Sequence, residues 1–349
     1  MNPGKYLSIS ILLLVIAGAA LYLYKKSNAV NYILKSASQN PVNNPAPDYP
    51  LSIESMRKRN YPGSDLTIEQ TLGDGTNYHQ YIASYISDGL KIYGLLTVPD
   101  GEKPAAGWPV IIFNHGYIPP EQYRTTERYI AYVDAFARNG YIVFKSDYRG
   151  NGSSQGNPEG AYYSRAYTVD VLNALSTLKR YKDADPANIG MWGHSMGGNI
   201  TLRSLVIDTK DIRAAVIWGG VVGSYWDLAN NWQRRVPYRP SARELLNRNS
   251  GRQNLTAMYG PPATYSAFWN SIDPTSHIAD ITVPIQLHTG GSDEEVPTAF
   301  SQELFASLQK AGKIVEYYNY PGGDHNIASP NFEPAMQRSI VFFNTYLKK

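Results

Sequence analysis

An α/β fold on a mostly parallel central sheet, with helices on both faces and a helical cap insertion, is predicted by three features of this 349-residue sequence. Six short apolar runs lack polar alternation, as strands covered on both faces do. Most of them lead into stretches of helical periodicity, the signature of strand–helix–strand crossovers. Between the fourth and fifth runs lies an excursion of about sixty residues, near 221–280, and insertions of that size at a strand end usually form a lid or cap.

Taken in order, the chain opens on Leu7 to Tyr24, an apolar run long enough to span a bilayer as a helix, with Lys5 before it and Lys25 and Lys26 after it. Residues 1–26 are read as a transmembrane anchor. The other reading is a signal segment cut near Ala17-Gly18-Ala19. The rest of the chain is accordingly expected on the extracytoplasmic side of a membrane, or secreted once the segment is cleaved. Residues 27–65 read as a tether, because "NPVNNPAPDYP" disfavours helix and ladder alike; "SIESMRKRN" within it has the pattern of a short amphipathic helix. From residue 66 to 349 the pattern is that of one folded domain. "NYHQYIASYIS" and "LKIYGLLTVP" alternate like antiparallel strands around an Asp88-Gly89 turn. The six apolar strands follow: "PVIIFNHG", "YIVFKSDY", "NIGMWGHS", "IRAAVIWGG", "VPIQLHTGG" and "IVEYYNYPG". Helical stretches are expected at Thr126 to Arg138, Tyr162 to Tyr181, Met196 to Val206, Thr298 to Lys310 and Pro334 to Leu347.

Composition narrows the function. A net charge of +3 with 17% charged residues gives no concentrated basic field, so no nucleic-acid partner is expected. The absence of cysteine removes disulfides, thiol nucleophiles and Cys-zinc sites. No two histidines sit at ligand spacing on one helix, and no metal or organic cofactor is called for.

The chemistry concentrates in "GMWGHSMGGN". Gly193-His194-Ser195-Met196-Gly197 is a glycine-flanked serine that follows an apolar strand and opens a helix, the pattern of a nucleophile elbow. Ser195 there sits in a strained turn, only residues without side chains fit beside it, and the helix N-terminus faces developing negative charge. Met196 N–H is one expected oxyanion donor. "FNHGYIPP" ends an earlier strand and offers Tyr117, through its N–H or its phenol, as the second. Of six histidines, His325 in "YPGGDHNI" lies just past the last strand, which makes it the candidate base in the chain order serine, acid, histidine. The acid is then expected at the end of the next-to-last strand. Asp293 comes first in "GGSDEEVP", while Glu294 and Glu295 read as first-turn residues of the following helix.

These stretches, with "DYRGNGSS" and "LQKAGKIVEYYNYPGGDH", resemble the α/β-hydrolase superfamily and, within it, the catalytic domain of the prolyl oligopeptidase family. The resemblance runs from about Gly94 to the C-terminus. It implies a serine hydrolase whose Ser195, His325 and Asp293 act through an acyl-enzyme. Two departures bear on specificity: the preceding segment is too short for the family's β-propeller, and His194 precedes the nucleophile, as in many esterases. A carboxylesterase is therefore the first reading, acting on a small-molecule ester. A family peptidase acting on short peptides is the alternative, and a non-catalytic membrane-tethered binding module is the reading from another class. In the cap, Tyr225, Trp226, Trp232, Tyr238 and Trp269 are candidate substrate contacts.

Overall fold

A computed structural model describes residues 49–233, 242–263 and 266–348, with backbone alone for 242–250. Nine strands form one sheet: β1 (Thr67–Thr71), β2 (Tyr78–Ser87), β3 (Leu90–Pro99), β4 (Trp108–Asn114), β5 (Ile142–Ser146), β6 (Ala184–His194), β7 (Ala214–Trp218), β8 (Ile285–Gly290) and β9 (Val315–Tyr320). Their spatial order is β1-β2-β3-β5-β4-β6-β7-β8-β9. The pairings β1–β2, β2–β3 and β3–β5 are antiparallel, and all pairings from β5 through β9 are parallel. This is the expected α/β-hydrolase architecture.

The unbroken apolar strands follow from cover on both faces. Val110 and Ile112 join one buried cluster, which includes Leu172, Leu202 and Leu304; Ile111 and Phe113 join the other, with Phe136, Ile340 and Phe343. The first face is covered by α3 (Ala166–Leu178), α4 (Met196–Ile207) and α8 (Thr298–Lys310), the second by α2 (Ile130–Arg138) and α9 (Phe332–Leu347). Between β7 and β8 the cap contains α5 (Tyr225–Asn230), α6 (Ala242–Tyr259), α7 (Ala267–Ile272) and a 3-10 segment, Pro274–Asp280.

The hairpin turns where expected, with φ of 52° at Asp88 and 77° at Gly89, the left-handed values that match hairpin twist. Strand β1 carries no sequence signal because all five of its residues are exposed; its pairing to β2 alone defines it. Helix α2 begins at Ile130 rather than Thr126, for a reason that belongs to the site below.

The tether boundary at residue 65 is corrected. Helix α1 (Ile53–Lys58) is the short helix expected inside it, capped by the Ser52 side chain. Leu51, Ile53 and Met56 are buried in the first-face core, and the Arg57 guanidinium donates to the Val206 carbonyl near the C-terminus of α4 at 2.8 and 2.6 Å. A cation there complements the helix dipole. Residues 49–58 thus belong to the packed domain and support the helix that begins after Ser195. The anchor, residues 1–26, and the tether up to residue 48 lie outside the described residues. Among the described residues no helix is long and apolar enough to cross a membrane. Met56→Ala, which leaves a cavity against α4, is expected to lower unfolding stability by about 2–5 kcal/mol in a denaturant titration; a solvated tether would show no change.

Candidate active site

Parallel strands end on the same edge, so β4, β6, β8 and β9 all deliver their following loops to one crevice. Ser195 leaves β6 with φ 55° and ψ −119°, a conformation that costs a non-glycine residue roughly 1–3 kcal/mol. Its neighbours make the turn possible. A Cβ at Gly197 would lie 1.8 Å from the Asn114 carbonyl oxygen, and one at Gly193 would lie 2.5 Å from the Gly197 carbonyl oxygen. Helix α4 is then pinned to β4: the Asn114 side-chain amide donates to Thr201 Oγ1 (2.8 Å), whose hydroxyl donates to the Gly197 carbonyl (2.9 Å).

The Asp293 side chain is buried, and its Oδ2 lies 2.8 Å from His325 Nδ1. Its Oδ1 accepts from the backbone N–H groups of Glu295 (2.8 Å) and Val296 (2.9 Å), which fixes the carboxylate's rotation. The histidine loop is seated by two glycines. A Cβ at Gly290 would meet the Asp324 carbonyl oxygen at 2.1 Å, and one at Gly219 would meet the His325 ring at 3.2 Å. The Tyr132 hydroxyl donates to the Asn326 carbonyl at 2.7 Å and steadies the same loop from α2.

The loop after β4 is held through its peptide groups. His115 is buried and stacked between Tyr123 and Tyr148, with centroids 4.7 and 4.3 Å away. Burial pushes its pKa down to about 3, with the nearby Lys145 adding to the fall, so the ring is neutral. Its Nδ1 donates to the Gly116 carbonyl at 2.7 Å, since a carbonyl only accepts. A trans peptide then turns the Tyr117 N–H away from His115. The Gly116 N–H in turn donates to the Tyr129 hydroxyl at 2.9 Å. His115 therefore orients the peptide expected to supply the second oxyanion donor.

Beneath this loop Lys145 and Asp147 are fully buried. Lys145 Nζ donates to the carbonyls of Glu127 (3.0 Å) and Arg128 (3.3 Å), while Asp147 accepts from the Tyr123 and Thr125 hydroxyls. Gripping those carbonyls keeps 126–129 out of the helix, and Arg128 and Tyr129 take positive φ of 59° and 54°. That accounts for the late start of α2. Burial lowers Lys145 to about 8 and raises Asp147 to about 6. Asp147 opens the "DYRGNGSS" stretch noted above, whereas Lys145 carries no motif, and only the structure reveals what either one holds.

A cavity of about 550 Å³ opens over Ser195 and His325, with Tyr117, Tyr132, Tyr162 and Trp232 among its walls. Of the expected cap contacts, Trp232 is on the wall, its Nε1 donating to the Glu295 carbonyl at 2.8 Å. Tyr225 and Trp269 are instead buried in the core beneath the cap, and Trp226 is 41% exposed. The Tyr225 hydroxyl, held by buried Arg203, is committed to the Tyr162 carbonyl. Tyr238 lies outside the described residues. The reading of both glutamates as first-turn residues is also corrected: α8 starts at Thr298 with no acid in its first turn, and Glu295 lines the cavity together with Arg128.

A serine elbow, a histidine loop and a carboxylate turn gathered at one edge of an α/β-hydrolase sheet define the serine hydrolases. Residues 128–349 match the prolyl oligopeptidase family, and the chain belongs to it. It is similar to the uncharacterized peptidase YtmA of Bacillus subtilis, 26% identical over 264 residues that span 75% of this chain and 90% of that one. It is also similar to dipeptidyl peptidase 8 of Homo sapiens, 24% identical over 69% of this chain and 25% of that protein. Among solved structures, dipeptidyl peptidase 4 of Porphyromonas gingivalis superposes with a TM-score of 0.61 at 18% identity, over 78% of this chain and 36% of that one. Est1E from Butyrivibrio proteoclasticus, solved with ferulic acid bound, gives a TM-score of 0.56 at 19% identity, over 76% of this chain and 99% of its own. At those identities the structural likenesses show the fold. The chain spans only about a quarter to a third of the two dipeptidyl peptidases.

Gly290→Ala forces a Cβ against the Asp324 carbonyl and must shift the loop that carries His325. Its expected effect is a loss of turnover well beyond any change in substrate KM, read by steady-state kinetics on a protein whose circular dichroism is unchanged.

Proposed function

We propose that this protein is a peptidase that cleaves short peptides with a free amino terminus, by way of an acyl-enzyme on Ser195. His325 takes the Ser195 proton as its Oγ attacks the scissile carbonyl. Asp293 holds His325 in the tautomer with Nδ1–H, leaving Nε2 as the base, and stabilises the imidazolium that forms. The N–H groups of Met196, at the start of α4, and Tyr117 receive the oxyanion. The imidazolium then protonates the leaving amine, and water releases the acyl group by the same steps.

The observation that carries the peptide reading is the charge on the cavity wall. Glu295 is rooted two residues from Asp293, with its N–H on Asp293 and its carbonyl on Trp232. It lines the same cavity as Ser195 and His325. A carboxylate beside the acyl pocket suits an α-ammonium group, and Arg128 on the same wall suits the carboxylate of a short peptide. The family match and the similarity to proteins named as peptidases point the same way. The volume lies within the range of about 300–1,000 Å³ that takes small-molecule ligands.

A carboxylesterase is the second reading, favoured by the aromatic wall of Tyr117, Tyr132, Tyr162 and Trp232 and by the likeness to a fold solved with ferulic acid bound. Rates on aminoacyl arylamides and on aryl esters separate the two.

Ser195→Ala is expected to abolish hydrolysis of an aminoacyl arylamide, and Asp293→Asn to lower kcat by about 10⁴-fold. Glu294→Gln should leave kcat nearly unchanged, and a larger loss there than at Asp293 would refute the assignment of the acid. Glu295→Gln is expected to lower kcat/KM about 10- to 100-fold on free-amino substrates, the worth of a charge-assisted hydrogen bond, with little effect on their N-acetylated forms. An equal fall on both would remove Glu295 from substrate recognition and leave the serine chemistry standing.

A further inference from the structure

We propose that Tyr129 is a positioning residue that locks the histidine loop, the nucleophile elbow and the oxyanion loop together through the imidazole of His194. The proposal rests on Ser195 as nucleophile. It concerns two residues that the triad leaves unused.

Donor and acceptor roles along this chain of bonds are forced. His194 Nε2 lies 3.0 Å from the His325 carbonyl oxygen, which can only accept, so Nε2 carries the proton. Burial, with the neighbouring His325 adding to it, lowers the His194 pKa to about 3, so Nδ1 is bare at neutral pH. The Tyr129 hydroxyl, 2.7 Å from Nδ1, must therefore donate to it. Its oxygen is then free to accept the Gly116 N–H at 2.9 Å. One hydroxyl and one imidazole thus connect the His325 backbone, the residue before Ser195 and the residue before Tyr117. Every donor and acceptor along the path is matched, and reversing the tautomer would set Nε2 against a carbonyl with no hydrogen between them.

The surroundings hold the phenol in place. Lys145 fixes the left-handed turn on which Tyr129 sits, and Phe113, Tyr132 and Trp192 pack on its ring at 5.5, 5.4 and 6.3 Å between centroids. A tyrosine that served only to fill this space would have no need of its hydroxyl. The His194 and His325 rings are 4.6 Å apart. A neutral His194 therefore adds no opposing charge when His325 becomes an imidazolium. The geometry also gives a reason for a histidine at 194: it has one donor for the histidine loop and one acceptor for the phenol.

Tyr129→Phe keeps the ring and removes the hydroxyl. The expected result is a fall in kcat of about 10- to 100-fold, approaching the loss of one oxyanion donor, with KM changed by less than about threefold and the melting temperature close to wild type. His194→Ala should show the same pattern. Because both break one chain, the double variant should lose no more kcat than the worse single variant. A Tyr129→Phe kcat within about twofold of wild type, or losses that multiply in the double variant, would overturn the proposal. Should His194→Ala fail to fold, nitrogen NMR of wild-type His194 at neutral pH decides: a neutral ring protonated at Nε2 supports the chain of bonds, and the Nδ1–H tautomer or an imidazolium contradicts it. Failure of the nucleophile assignment reads differently, as activity retained in Ser195→Ala, and leaves the tautomer measurement untouched.

Discussion

The approach of Gly197 to the Asn114 carbonyl is the constraint on which the rest of the site depends. Only a residue without a side chain permits it, since a Cβ would lie 1.8 Å from that oxygen. The contact lets α4 start directly against the end of β4, and it bends Ser195 into its strained turn at the mouth of the crevice. It also sets the elbow beside the loop that begins at His115. The serine and the peptide expected to stabilise its oxyanion are thus placed by one backbone contact, reinforced by the hydrogen bonds of Asn114 and Thr201.

Around that contact the protein uses buried polar groups as fixtures. His115 and His194 are kept neutral by burial, and each makes a directional bond to the backbone: one to the Gly116 carbonyl, the other to that of His325. Lys145 spends its donors on two loop carbonyls, and Asp147 accepts two hydroxyls from the same loop. Buried polar groups carry a desolvation cost that is tolerable only when their bonds are made. Here the bonds made are those that shape the edge of the sheet. The β4 loop is consequently held by its backbone from both sides.

Much of this was legible in the sequence, for physical reasons. Strands covered on both faces lose polar alternation, so β4 to β8 could be read directly, whereas β1, exposed throughout, could not; β9, at the sheet edge and only half-buried, was legible from its place before the histidine loop. The elbow, the Asp293 turn and the His325 loop are short segments whose chemistry needs particular residues at particular spacings. What escaped were residues that act through contacts distant in sequence. Tyr129 meets His194 across 65 positions, and nothing in "TTERYI" marks it. Lys145 sits inside an apolar strand, an odd place for a charge and the one local sign of its role. Tyr225 and Trp269 were misassigned because an aromatic residue in a cap has the same composition whether it packs inward or lines a pocket. Glu295 follows Asp293 in an unbroken acidic run, and nothing local in that run distinguishes a carboxylate at a helix start from one on a cavity wall.

The reactivity of the site rests on one serine, at the strained start of α4, acting as the nucleophile. Peptide mass mapping after reaction with a fluorophosphonate tests this directly. A single adduct is expected on the peptide carrying Ser195, formed only on folded protein. An adduct on a different residue, or an active enzyme that takes up no label, would contradict it.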